Sequence, residues 1–223
     1  MAIVLNIETA TTNCSVSLSK DGEILVLKED NSLGYSHAET LHLFIDEVFK
    51  VSDIKPSGID AVAISKGPGS YTGLRIGVSS AKGLCFALDK PLIAIDTLES
   101  LAHQLKIENG FIVPMLDARR MEVYSAVYNS NLDIHREIKA EILTEGSYAS
   151  ILETNMVYFI GSGVEKTKTL IQHPNAVFIE GKLPSANEMA VLAELKHKKS
   201  DTEDVAYFEP YYLKDFIALK KKT

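Results

Sequence analysis

Residues 2–27, AIVLNIETATTNCSVSLSKDGEILVL, carry the first decision about the fold. The apolar or alternating runs at 2–8, 14–19 and 23–27 have strand length and read as three consecutive strands. Asp21-Gly22 joins the last two as a hairpin turn, because both residue types tolerate positive φ. A helix should follow. Ser36 with Glu39 makes a capping-box pattern, and Ala38, Leu41, Ile45, Val48 and Phe49 recur at helical spacing. Next come a strand at 60–65, the glycine-rich Gly67-Pro68-Gly69-Ser70, a helix from about 71 to 88 and a strand at 92–95. Asp96 with Glu99 repeats the capping pattern before another helix. The order is βββαβαβα.

The second half runs through the same order. Its opening strand, 111–117, ends in Asp117 as the first ends in Glu8. Strands at 122–128 and 134–142, a short helix at 145–153 and a strand at 157–160 follow. Gly161-Ser162-Gly163 echoes Gly67-Pro68-Gly69. A strand at 176–179 and a helix capped by Ser185 with Glu188 close the cycle. Divergent internal duplication explains this most economically. The expected fold is therefore α/β, with two ribonuclease-H-like lobes of the actin, sugar-kinase and Hsp70 superfamily. The N-terminal lobe is expected at 1–108 and the C-terminal lobe at 109–223, with the C-terminal tail returning to the first lobe. That superfamily holds a nucleotide between its lobes, yet it includes kinases, chaperones, filaments and inert partners, so fold alone assigns no activity.

Composition narrows the classes. The 223 residues are 46% hydrophobic and 24% charged, enough apolar material for a real core and too much for disorder. No apolar stretch approaches the ~18 residues of a membrane span. The N-terminus lacks a basic leader and meets an acid at Glu8, and only two cysteines occur, so a cytoplasmic protein is expected. The net charge is −7, with −5 of it in residues 1–110. Only the tail is basic, Lys214, Lys220, Lys221 and Lys222 against Asp215, so strong autonomous binding to nucleic acid is not expected.

The run SKGPGSYTGLRIGVSSAKGL, 65–84, holds two signals. Glycines before a helix let backbone N–H groups converge, so Gly67, Gly69, Ser70 and Thr72 could cradle a phosphate or carboxylate, or simply form a tight turn. The run is not a P-loop and has no terminal lysine. Glu8 and Thr9 suit a first phosphate loop, or an acid closing a hairpin onto backbone N–H groups. Asp117-Ala118-Arg119-Arg120 is the counterpart, and its arginines suit a carboxylate, a phosphate or an acidic partner. Within the helix, Gly73, Gly77 and Ala81 lie four apart and form a ridge without bulk, flanked by Leu74 and Val78. With His37, Leu41 and Ile45 of the preceding helix, this ridge is expected to form half of a four-helix interface with a second subunit, or else core packing. His37 and His42, five apart, share no helix face and make no metal pair. Cys14 and Cys85 read as buried small hydrophobes.

IETATTNCSVSL (7–18), SHAETLH (36–42), GPGSYTGLRIGVSSAKGL (67–84) and LDARRMEVY (116–124) together resemble the bacterial TsaB (YeaZ) family. The likeness is close to about residue 125 and looser beyond, where Gly161-Ser162-Gly163 and EPYYLKDF keep familiar places. It implies a part in forming threonylcarbamoyladenosine in the anticodon loop of tRNAs that read codons beginning with A. The implied partners are TsaD, the catalytic metal-binding subunit, and TsaE, an ATPase. The implied role is that of a scaffold without chemistry of its own, a homodimer when alone, meeting tRNA only through the complex. TsaD carries an Asn-His-x-Glu-x-His pattern after its glycine helix; here Thr97 and Leu101 stand in the histidine places, and neither replaces an imidazole. Hence no metal site and no peptidase activity are expected. No cofactor is implied, with a nucleotide at the TsaD junction left open. The rival reading is an ATPase or phosphotransferase that uses Glu8 and Asp117.

Overall fold

A computed structural model describes residues 2–31 and 37–214. In the first half, β1 (Ile3–Glu8), β2 (Cys14–Lys20) and β3 (Glu23–Asp30) form an antiparallel meander. Asp21 and Gly22 turn the hairpin at φ 54° and 83°, the positive values that the dipeptide favours. α1 (His37–Ser52), β4 (Ala61–Gly67), α2 (Tyr71–Leu88), β5 (Leu92–Asp96) and α3 (Thr97–Ala102) follow. Ser70 caps α2 by accepting from Gly73 N, and Asp96 caps α3 by accepting from Leu98 N and Glu99 N. The Ser36 half of the capping box expected before α1 lies outside the described residues.

The second half builds β6 (Phe111–Asp117), β7 (Glu122–Asn129), β8 (Ile134–Ile142), α4 (Ala149–Leu152), β9 (Val157–Ile160), α5 (Val164–Leu170), β10 (Ala176–Ile179) and α6 (Ala186–Lys198). The two sheets have one topology, β3-β2-β1-β4-β5 and β8-β7-β6-β9-β10, with β4 and β9 each parallel to its lobe's first strand. The duplication seen in the element order is thus a duplication of sheet wiring. The helix expected at 145–153 shrinks to four residues. Thr144 and Ser147 close a hydrogen-bonded turn, and Tyr148 sits at φ 63°, so regular helix begins only at Ala149.

The lobes exchange their last helices. α3 packs on the second sheet, where Leu98, Leu101 and Ala102 join Ile112, Leu116, Ala126, Tyr128 and Ile160. α6 packs on the first sheet, where Ala186, Met189, Leu192 and Ala193 cover Val4, Ala61, Ala63, Ile93 and Ile95. A boundary at residue 108 therefore separates the sheets but not the cores, because α6 belongs with the first lobe. Strand periodicity locates a sheet; it does not say which sheet a later helix will cover.

The other face of the first sheet carries Leu5, Ile7, Val16, Leu18, Val62 and Ile64 beneath α1 and α2. The chain after α6 returns along α2. Glu203 pairs with Leu92, Lys82 Nζ donates to Ala206 O and Phe208 O, and Tyr211 N donates to Lys66 O. Lys214 then reaches Glu122 in the second lobe.

Candidate functional site: the inter-lobe junction and the outer face of α1 and α2

Two loops at the carboxyl ends of parallel strands hold the candidate phosphate residues, the place where open α/β sheets usually bind ligands. Glu8 ends β1 with no exposed surface. Its Oε1 accepts from Ala10 N at 2.6 Å and from Ser65 Oγ at 2.8 Å, while Oε2 has no partner among the described residues. Burial raises its pKa to about 7 against the pull of those hydrogen bonds. Thr9 Oγ1 donates to Gly73 O at 2.9 Å, and Ser70 N donates to Ala10 O at 2.7 Å. A Cβ on Gly69 would stand 2.5 Å from Ala10 O, and one on Gly67 2.8 Å from Tyr211 O. The hollow before α2 is thus occupied by the Thr9–Ala10 backbone, with Thr72 exposed at its rim.

Residues 184–186 are bonded to the first sheet. Asn13 Nδ2 donates to Pro184 O, Ala186 N to Ser15 Oγ, Ser17 Oγ to Ala186 O, and Ser185 Oγ to Glu29 Oε2. Nearby, a cavity of about 170 Å³ opens between Lys66, Asp96 and Glu99 of one lobe and Tyr128, Arg136 and Glu137 of the other. Burial raises Asp96 to about 6, eased by Lys66 Nζ at 3.8 Å and by the α3 N–H groups.

The second-lobe counterpart differs. Asp117 is half exposed and accepts from Lys166 Nζ at 2.8 Å and from Arg119 N at 2.6 Å. Glu8 and Asp117 therefore do not form a matched carboxylate pair. Thr97 and Leu101, in the places of the metal-binding histidines, are both fully buried. Among the described residues no three His, Cys, Asp or Glu side chains could hold a metal ion.

The residues expected at a subunit interface lie inside the single chain. His37, Leu41, Ile45, Gly73, Leu74, Gly77, Val78 and Ala81 are all buried in the chain's own first lobe. A Cβ on Gly73 would overlap Thr9 O, and one on Gly77 would overlap Thr9 Oγ1. Within the chain the bare ridge admits the β1–β2 loop. The reason is periodic: apolar recurrence marks the face turned to the sheet. The opposite face of α2 shows a second bulk-free row, Ser79, Gly83 and Ala87, exposed and again four apart. A Cβ on Gly83 would meet nothing within 4 Å outside its own helix backbone. Beside it Phe86 is 87% exposed, and on α1 Leu43 is 61% exposed. A large apolar residue out of phase with its helix's buried stripe was the available signal in the sequence.

A family model described as TsaD, tRNA N6-adenosine threonylcarbamoyltransferase, matches residues 33–222. The tRNA threonylcarbamoyladenosine biosynthesis protein TsaB of Escherichia coli K12 is 31% identical, over 98% of this chain and 97% of its own. Its Haemophilus influenzae namesake is 30% identical over 98% and 96%. The chain belongs to the TsaB (YeaZ) family. The fold agrees: a Pseudomonas aeruginosa structure described as similar to the peptidase YeaZ superposes with a TM-score of 0.84, at 25% identity, over 96% of this chain and all of that one. A tRNA N6-adenosine threonylcarbamoyltransferase from Jannaschia, by contrast, is 40% identical over only 36% of this chain and 23% of its own. The likeness to that enzyme is thus confined to part of the chain, whereas the TsaB likeness spans it.

Proposed function

We infer that this chain acts in tRNA threonylcarbamoyladenosine formation as a non-catalytic subunit, docking a TsaD-like catalytic subunit and, when alone, a second copy of itself. A TsaE-like ATPase completes the assembly, and tRNA is met through the complex. The exposed Phe86 and Leu43, flanking the open Ser79–Gly83–Ala87 row on α1 and α2, carry the docking part of this reading. Small residues let another helix backbone approach, and an exposed aromatic supplies the buried anchor that interfaces favour.

The ATPase or phosphotransferase reading fits the same geometry less well. It needs an ionised carboxylate facing a phosphate, whereas Glu8 is fully buried, bonded to Ala10 N and Ser65 Oγ, with its pKa raised to about 7. Replacing Phe86 with Asp tests the docking reading. Sizing of the variant should give a monomer that melts as the parent does and fails to retain the catalytic subunit. A variant that still dimerises and still holds that subunit would refute it.

A further inference from the structure

The cavity between the lobes, about 170 Å³ in volume, carries chemistry that the docking face does not use. Lys66 of β4, Asp96 of β5 and Glu99 of α3 wall one side, and Tyr128 of β7 with Glu137 of β8 wall the other. Tyr128 is only 2% exposed, yet its hydroxyl makes no hydrogen bond among the described residues. A buried phenol without a partner marks a place for a ligand or a water to fill. That hydroxyl has acids for neighbours. Burial first, then the charges of Asp96, Glu99 and Glu137, keeps its pKa above the ordinary value. Lys66 Nζ, 3.8 Å away, offsets Asp96, while Glu141 and Ser125 hold the Arg136 guanidinium. Neither Glu99 nor Glu137 has a side-chain ion pair or hydrogen bond among the described residues, so both charges stand uncompensated. The acids do not converge on one point, since no three His, Cys, Asp or Glu side chains among the described residues could hold a metal ion. Apart from Arg136, the rest of the lining is apolar: Ala126, Ile134 and Ile138.

We propose that this cavity binds a small aliphatic diamine, with Glu99 and Glu137 each taking an ammonium group, Tyr128 Oη accepting from one of them, and the methylenes lying along Ile134 and Ile138. Separate acids on a partly apolar wall suit two charges carried on a hydrocarbon stem, which a compact metal ion cannot imitate. An ammonium N–H donates to carboxylate and phenol oxygens in charge-assisted bonds, and the tyrosine ring attracts a cation. One donor favours another guest. Arg136 Nε is buried without a partner among the described residues, and the carboxylate of an amino acid would satisfy it. The charge balance decides between the two, because the uncompensated charges of the cavity are both negative. The inference goes beyond the subunit reading above and does not depend on it.

Calorimetric titration of the full chain at low salt tests this. Putrescine should bind saturably, and butylamine, with a single ammonium group, about tenfold more weakly. Tyr128→Phe removes only the unpaired hydroxyl, so it should melt at or above the parent temperature and lose about threefold or more in putrescine affinity. Glu99→Gln with Glu137→Gln keeps both side-chain shapes and should melt close to the parent. Its putrescine affinity should fall about tenfold or more, with a flatter salt dependence. Absence of saturable putrescine binding overturns the proposal and leaves the cavity to water. Equal affinity in the parent and the double variant also overturns it, placing the amine on the general negative surface of the chain. Tighter binding of glycine than of putrescine would give the cavity to a zwitterion held by Arg136, and the proposal would fall. Should either variant fail to melt cooperatively, the ranking of putrescine, butylamine and glycine on the parent decides the matter.

Discussion

At the scale of single residues, Glu8 shows how burial turns an acid into a pH-dependent liability. Its carboxyl titrates near 4.5 when unfolded and near 7 when folded. Below the unfolded value both states are protonated and no difference arises. As the pH climbs from there towards 7, the unfolded chain releases a proton that the folded chain retains, so stability falls. Above about pH 7 the loss is complete, of order 3 kcal/mol. Glu8→Gln keeps an acceptor for Ala10 N and Ser65 Oγ but cannot ionise. Urea midpoints measured at pH 5 and pH 8 should diverge in the parent and converge in Glu8→Gln; equal pH dependence in the two proteins would place the ionisation elsewhere. The sequence exposed this residue's position, at the end of an apolar strand, but not its state. Position follows from periodicity within seven residues, whereas the Ser65 hydroxyl that bonds the carboxyl comes from 57 residues away.

Among elements, α2 was the most legible and the most misleading. Its limits and its bulk-free row at Gly73, Gly77 and Ala81 follow from local sequence, whereas its Ser70 cap emerged from the structure. Which way the row faces does not, because small residues admit any close neighbour, whether a partner helix or the chain's own Thr9. Two substitutions one helical face apart separate the cases. Gly77→Leu would drive a side chain into Thr9 and Ile64 and should cost roughly 1–3 kcal/mol or more of stability. Gly83→Leu enters open space and replaces a weak helix former, so the melting temperature should hold or rise while the proposed dimer weakens. Thermal melts and sizing of both variants decide it. A stable, monomeric Gly77→Leu would restore the ridge to the interface.

For the whole molecule, the exchange of α3 and α6 makes the two lobes one folding unit. Residues 1–108, the first lobe as the sequence divides it, keep β1–β5, α1 and α2 but lose the helix that covers Val4, Ala61, Ala63, Ile93 and Ile95. That face would meet water across three strands, and Asn13, Ser15 and Ser17 would lose the backbone partners that residues 184–186 supply. α3 in turn would expose Leu98, Leu101 and Ala102, its side of the second core. Fully burying one aliphatic side chain is worth about 1.5–3 kcal/mol, so baring several at once costs as much as the 5–15 kcal/mol margin of a whole domain. The fragment 1–108 should therefore remain unfolded or molten, binding a hydrophobic dye and showing no cooperative melt. Joining residues 181–214 to the end of β5 in place of α3, through a flexible linker, should restore a cooperative transition, since it returns α6 to its sheet and removes the stranded helix. The full chain should unfold in one step, with reporters in both sheets giving the same urea midpoint. A fragment 1–108 that melts cooperatively by itself would show that the helix exchange adorns two independent domains rather than joining them.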